Sequence, residues 1–184
     1  MGVFESGRFV VYNSQGEQLY TGGNYPYGGD DMETVGAYLT YSGTMCANPE
    51  KNYFVAGCSF SDHIAFYEVS ENEITLIKEY YSHDANVEST NNRLMIKDDS
   101  KISYNWGFGT DSYCYMLFSG KTHEENKKQK VGQYIIVFNW QGKYIKTFNF
   151  DYNIYSFCVD EKNNYIYAVT RDENSDYAIV KLKI

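Results

Sequence analysis

The sequence predicts an all-β protein, a β-propeller with about three blades of four-stranded antiparallel sheet and one further N-terminal hairpin. Three observations predict it. A hairpin phrase recurs: Val10-Val11-Tyr12-Asn13-Ser14-Gln15-Gly16 returns as Ile136-Val137-Phe138-Asn139-Trp140-Gln141-Gly142, with a looser copy from Ala65 to Asn72. A second phrase recurs in consistent order, Cys46-Ala47-Asn48-Pro49-Glu50-Lys51-Asn52-Tyr53 against Cys158-Val159-Asp160-Glu161-Lys162-Asn163-Asn164-Tyr165. The composition is 43% hydrophobic and 18% aromatic, with 20 Tyr, a residue suited to half-buried strands.

The elements follow in chain order. Residues 9–12 and 17–20 flank a polar turn and make the first hairpin. A Gly-rich loop over 21–34 leads to strands at 44–47 and 53–57, joined by the breaker run Asn48-Pro49-Glu50-Lys51-Asn52. Residues 64–69 and 74–80 form the second hairpin, and a polar loop runs from 82 to 92. Strands at 101–105 and 113–118 enclose a turn around Gly109, and 120–132 is a charged insertion. Residues 134–139 and 144–150 complete that unit. Strands at 156–159, 165–170 and 178–184 form a last unit of three.

Each unit thus reads as strands a to d from the inside outwards, with short a–b and c–d turns and longer b–c and d–a connections. In a propeller those longer connections share one face, and function usually lives on loops held by a rigid scaffold. Inner strands are expected near Thr44, Lys101 and Ser156, while the N-terminal unit shows only c and d and the last unit lacks d. Propellers use about four to eight blades, so this array does not close a ring by itself. Either it is part of a longer propeller or a second copy of the chain completes the ring as a homodimer.

At 184 residues the chain reads as one domain over 1–184, long enough for a core. A net charge of −8 argues against nucleic acid, whose phosphates need a basic surface. No apolar run approaches the ~20 residues of a membrane span. The N-terminus lacks the basic and apolar regions of a signal peptide, so the chain is cytoplasmic or its leader lies outside this sequence.

Catalytic signatures are sparse. Cys46, Cys58, Cys114 and Cys158 form no C-x-x-C pair, which argues against zinc. All four lie on expected strands and read as buried free thiols, with a disulfide in an oxidising compartment as the alternative. His63 and His123 follow strand b of successive units and project towards the long-connection face. No nucleophile elbow or phosphate loop is present, and no metal or cofactor is expected. Asp30 and Asp31 are adjacent acids of a kind that can bind calcium or serve acid–base chemistry, though solvated acids are the simpler reading. Tyr25, Tyr27 and Tyr155 flank long connections, where aromatic rings stack on sugars or anchor peptides. With Lys121 at the head of the charged insertion, the candidate ligand-binding residues are Tyr25, Tyr27, Asp30, Asp31, His63, Lys121 and Tyr155. No catalytic residue is assigned.

The phrases Tyr155-Ser156-Phe157-Cys158-Val159-Asp160-Glu161, Leu117-Phe118-Ser119-Gly120-Lys121-Thr122 and Gly22-Gly23-Asn24-Tyr25-Pro26 together resemble the TolB-like six-bladed β-propeller family of envelope-associated bacterial proteins. The resemblance covers nearly the whole chain and implies about half of a six-bladed ring. It also implies export to the periplasm or cell surface behind a leader. It carries no catalytic residues. The expectation is a non-catalytic binding or scaffold module for a protein, peptide or glycan. The alternatives are an enzyme acting on a polysaccharide at the channel mouth, or a structural fragment needing further blades.

Overall fold

Asn13 shows why the hairpin phrase recurs. Its Oδ1 accepts hydrogen bonds from the backbone N–H groups of Gln15 (3.0 Å) and Glu17 (2.9 Å), and Gly16 turns the chain at φ +82°. Asn139 accepts in the same way from Gln141 (3.1 Å) and Lys143 (2.8 Å), with Gly142 at φ +76°. A short polar side chain closes each turn, and glycine enters the left-handed region without steric cost. Asp172 makes a further copy, accepting from Asn174 and Asp176 at 2.9 Å each, but here Ser175 takes the left-handed position at φ +68°. That exchange of serine for glycine hides this turn in the sequence.

The computed structural model describes residues 7–26, 38–82, 85–90, 93–126 and 131–184. β1 (Phe9–Tyr12) and β2 (Gln18–Gly22) pair as an antiparallel hairpin. β3 (Gly43–Ala47), β4 (Tyr53–Cys58), β5 (Ile64–Val69) and β6 (Ile74–Tyr80) form the first four-stranded blade in that order. β7 (Val87–Thr90) and β8 (Arg93–Ile96) pair as a separate hairpin. β9 (Tyr104–Gly109), β10 (Tyr113–Phe118), β11 (Gly132–Asn139) and β12 (Tyr144–Ile154) form the second four-stranded blade. A four-residue helix, α1 (His123–Asn126), sits between β10 and β11. β13 (Ser156–Val159), β14 (Tyr165–Arg171) and β15 (Tyr177–Lys183) form a third, three-stranded blade. The expected propeller architecture is present.

The core lies in layers between successive sheets, because strand side chains alternate between two buried faces. Phe54 and Tyr67 stack at 4.9 Å and meet Phe9 edge-on at 5.0 and 5.2 Å, which seats the N-terminal hairpin on the first blade. On the opposite face Val55, Ile64 and Phe66 pack with Met116, Phe138 and Trp140 of the second blade. Tyr115, Leu117, Ile135 and Val137 pack in turn with Phe157, Ile166 and Ala168 of the third.

Several expectations are corrected. The inner strand of the second blade is not 101–105 but Tyr104–Gly109, and Lys101 makes only an isolated bridge to Thr122. Gly109 reads as a turn residue, yet it and Gly107 lie in the strand, whose neighbour is too close for side chains. A Cβ on Gly109 would sit 2.1 Å from the Ala47 carbonyl oxygen, and one on Gly107 would sit 3.2 Å from Cys46 Cβ. The polar loop over 82–92 overlaps the β7–β8 hairpin. The b–c and d–a connections are not uniformly long: Tyr155 alone separates β12 from β13, and 172–176 join β14 to β15. The cysteines are all unpaired, but only Cys46, Cys58 and Cys114 are buried, while Cys158 is exposed. Its repeat mate Cys46 lies under β9; the corresponding face of the third blade has no sheet stacked on it among the described residues.

Candidate functional site

The start of each c strand and the end of each b strand point to the face that carries the b–c and d–a connections. Two neighbouring seams on this face gather polar side chains.

The first lies between the N-terminal hairpin and the first blade. Arg8 enters β1, and its Nη2 donates to the Tyr41 carbonyl (3.2 Å) and to Cys58 Sγ (3.3 Å). Tyr25, on the connection leaving β2, packs against Tyr41 and Cys58. His63 immediately precedes β5 and is 2% exposed. Its Nε2 lies 3.0 Å from Glu79 Oε2 and its Nδ1 3.7 Å from Cys58 Sγ. Burial pushes the Cys58 thiol up, against the pull of the Arg8 guanidinium. Burial pushes the His63 imidazole down, partly offset by its hydrogen bond to Glu79. Cys58, His63 and Glu79 therefore form a connected chain in which burial favours the neutral thiol and the neutral imidazole. The sulfur is fully buried, so no substrate reaches it as a nucleophile.

The second is a cleft of about 590 Å³ between the first and second blades. Asp62, Ser82, Lys101, Phe118, Lys121, Glu125 and Tyr134 line it. Lys121 Nζ donates to Asn153 Oδ1 at 2.8 Å. Glu125 Oε2 accepts from the Thr122 backbone N–H (2.7 Å) and hydroxyl (3.0 Å), while Thr122 Oγ1 accepts from Glu125 N–H at 3.3 Å. This reciprocal cap fixes α1 and holds the Glu125 carboxyl below the usual carboxylate range. Asp62 accepts from Ser82 N–H at 3.0 Å. The cleft thus brings two lysines and two acidic side chains beside an aromatic wall, with Lys121, Asp62 and Glu125 held by hydrogen bonds.

The expected site residues fall in different places. Tyr25 and His63 each contact Cys58 at the first seam, and Lys121 lines the cleft. Tyr155 stands at the third blade, edge-on to the Tyr177 ring at 5.6 Å with the Arg171 guanidinium 5.6 Å over its own ring. It lines neither seam. Tyr27, Asp30 and Asp31 lie outside the described residues. Sequence reasoning passed over Arg8, Tyr41, Glu79, Lys101 and Tyr134. Of these, only the cation at the head of an apolar strand, Arg8, left a readable signal. Among the described residues no group of three His, Cys, Asp or Glu is placed to hold a metal ion. No helix among them is long and apolar enough to cross a membrane.

Comparison with known proteins adds the following. The family model described as TolB-like 6-blade propeller-like matches residues 1–162. No curated protein matches. Among solved structures, the chain is similar to the β-propeller domain of Cps50 (Swd1) from Myceliophteria thermophila at 10% identity and a TM-score of 0.43, covering 78% of this chain and 40% of that one. It is similar to a protein from Bacteroides fragilis titled a 6-phosphogluconolactonase at 10% identity and a TM-score of 0.39, covering 76% and 38%. It is also similar to the Pan2 WD40 domain of Neurospora crassa at 8% identity and a TM-score of 0.32, covering 79% and 47%. The chain spans less than half the length of each of these three structures.

Proposed function

The chain belongs to the TolB-like six-bladed propeller family, and from that premise we propose that it is a non-catalytic binding module that takes a partner on the face of its long connections. The cleft between the first and second blades carries this reading. Its size suits a few residues of an extended ligand. Opposed charges at Lys101, Lys121, Asp62 and Glu125 beside Phe118 and Tyr134 suit a polypeptide of mixed charge better than a neutral glycan, which relies on aromatic stacking and hydroxyl hydrogen bonds. The test is to probe peptide and glycan arrays with the wild-type chain, Lys121→Glu and Tyr134→Ala. Peptide binding that both variants lose supports the reading. Glycan binding transfers the site to a sugar, and binding unchanged in both variants removes the cleft from the account.

A second observation favours assembly through the blade ends. At the third blade, β14 and β15 turn Tyr167, Tyr177 and Ile179 outwards, with Ile179 75% exposed. At the other end, β1 and β2 turn Tyr12 and Leu19 outwards, 53% and 55% exposed. We propose that a second copy meets one end with the other, in a head-to-tail contact that extends the blade stack. Mass in solution by light scattering tests it. A dimer that Ile179→Asp dissociates supports the contact, and a monomer at high micromolar concentration overturns it.

A further inference from the structure

The first seam contains polar groups whose hydrogen-bonding capacity the described residues leave unused. Arg8 spends Nη2 on Tyr41 and Cys58, but its Nη1 is buried and has no acceptor. The Tyr25 hydroxyl, on a ring packed against the same Tyr41 and Cys58, is likewise buried without a partner. Thr40, next to Tyr41 in the chain and fully buried, has an unpartnered hydroxyl as well. Buried polar groups are nearly always satisfied, so the Arg8 and Tyr25 donors, which lie within electrostatic range of each other, mark a place where an acceptor belongs.

We propose that this seam is a binding site for a carboxylate group, received by Arg8 Nη1 and the Tyr25 hydroxyl. The idea is independent of the cleft between the first and second blades. A guanidinium nitrogen and a phenol offer donors that match the two oxygens of one carboxylate. The guanidinium is already held by Tyr41 and Cys58, so little side-chain freedom is lost when an anion arrives. No carboxylate of the described residues pairs with Arg8, while Glu79 is occupied by His63. Asp62 and Glu79 lie within electrostatic range of His63, as Arg8 does. Those two acids repel any arriving anion, and so disfavour a dianionic phosphate more than a singly charged carboxylate.

Two sources share this chemistry, the free C-terminus of a polypeptide and an acidic side chain. The experiment titrates the intact chain with three short peptides by calorimetry and thermal shift. The first has a blocked N-terminus and a free C-terminal carboxylate. The second is blocked at both ends and carries one Glu. The third is blocked at both ends and neutral. Binding of the first or second but not the third is expected, and which of the two binds identifies the source. Tyr25→Phe, which removes one hydroxyl and keeps the ring, is expected to weaken that binding several-fold, and Arg8→Gln by about tenfold or more. If none of the carboxylate peptides binds, or if Tyr25→Phe binds them as the wild type does, the proposal is wrong. Tyr25→Phe decides the matter even where Arg8→Gln fails to fold.

Discussion

Cys46 and Cys158 occupy the same position in two units of the repeat, yet Cys46 is 8% exposed beneath the backbone of Gly107 and Cys158 is exposed. The difference comes from the neighbouring sheet. β9 stacks over β3, whereas among the described residues no strand stacks over the outer face of β13. One repeat position therefore yields an inert thiol in one blade and an accessible one in another.

This relationship predicts the thiol chemistry. Burial pushes the Cys46 thiol up to about 12 and raises those of Cys58 and Cys114. In the folded protein a thiol reagent such as DTNB should modify Cys158 alone, and the other three should react only on unfolding. Cys158→Ser should abolish native-state labelling. Rapid modification of a second cysteine in that variant would show that a seam opens.

The seam between the first two blades should be intolerant of side chains on β9. Gly109→Ala forces a Cβ against the Ala47 carbonyl and should destabilise by about 1–3 kcal/mol in urea unfolding. Gly107→Ala, whose nearest neighbours are the flexible Met116 side chain at 3.1 Å and Cys46 at 3.2 Å, should cost less. Equal effects would mean that Ala47 moves freely.

Two isoleucines of the third blade test which of its faces is core. Ile166 is fully buried, so Ile166→Ala should cost about 2–5 kcal/mol. Ile179, 75% exposed, should tolerate alanine within about 0.5 kcal/mol when the chain is dilute. A larger loss for Ile179→Ala that grows with protein concentration would report the head-to-tail contact, through linkage of folding to association.

His63 should make stability depend on pH in a defined window. Its folded-state pKa lies below its ordinary value near 6.5 because burial disfavours the imidazolium. As pH falls from about 6.5, the unfolded chain takes up the proton before the folded one. The stabilisation present above that pH is then lost as pH approaches the folded pKa, with a slope of at most about 1.4 kcal/mol per pH unit for one proton. His63→Gln should flatten urea-unfolding stability between pH 7 and 5. Glu125 acts in a separate, more acidic window, because its lowered pKa keeps its contribution until the pH falls through the carboxylate range. A His63→Gln variant with the wild-type slope would place the titrating group elsewhere.

Local chemistry made much of this protein legible without coordinates. β5 and β6 were expected at the bounds they occupy, 64–69 and 74–80, because apolar strands flanking a polar turn pair with each other and need no distant partner. The Asn13 and Asn139 turns were visible for the same reason: the side chain and the glycine that close each one lie within four residues. The family followed from such phrases. What depended on contact between units was hidden. Gly109 resembles a turn residue until β3 is stacked against it, and the exposure of Cys158 follows from the absence of a stacked sheet among the described residues rather than from its own strand. The first seam is the extreme case. Arg8 and Tyr25 flank the N-terminal hairpin and reach Tyr41, Cys58 and His63 of the first blade because Phe9 seats that hairpin on Phe54 and Tyr67. Sequence determined the strands, the turns and the repeat, since hydrogen bonds and backbone preference act over a few residues. Tertiary structure decided which polar groups lost their water and which strand faces stayed open, since burial is a property of neighbouring sheets.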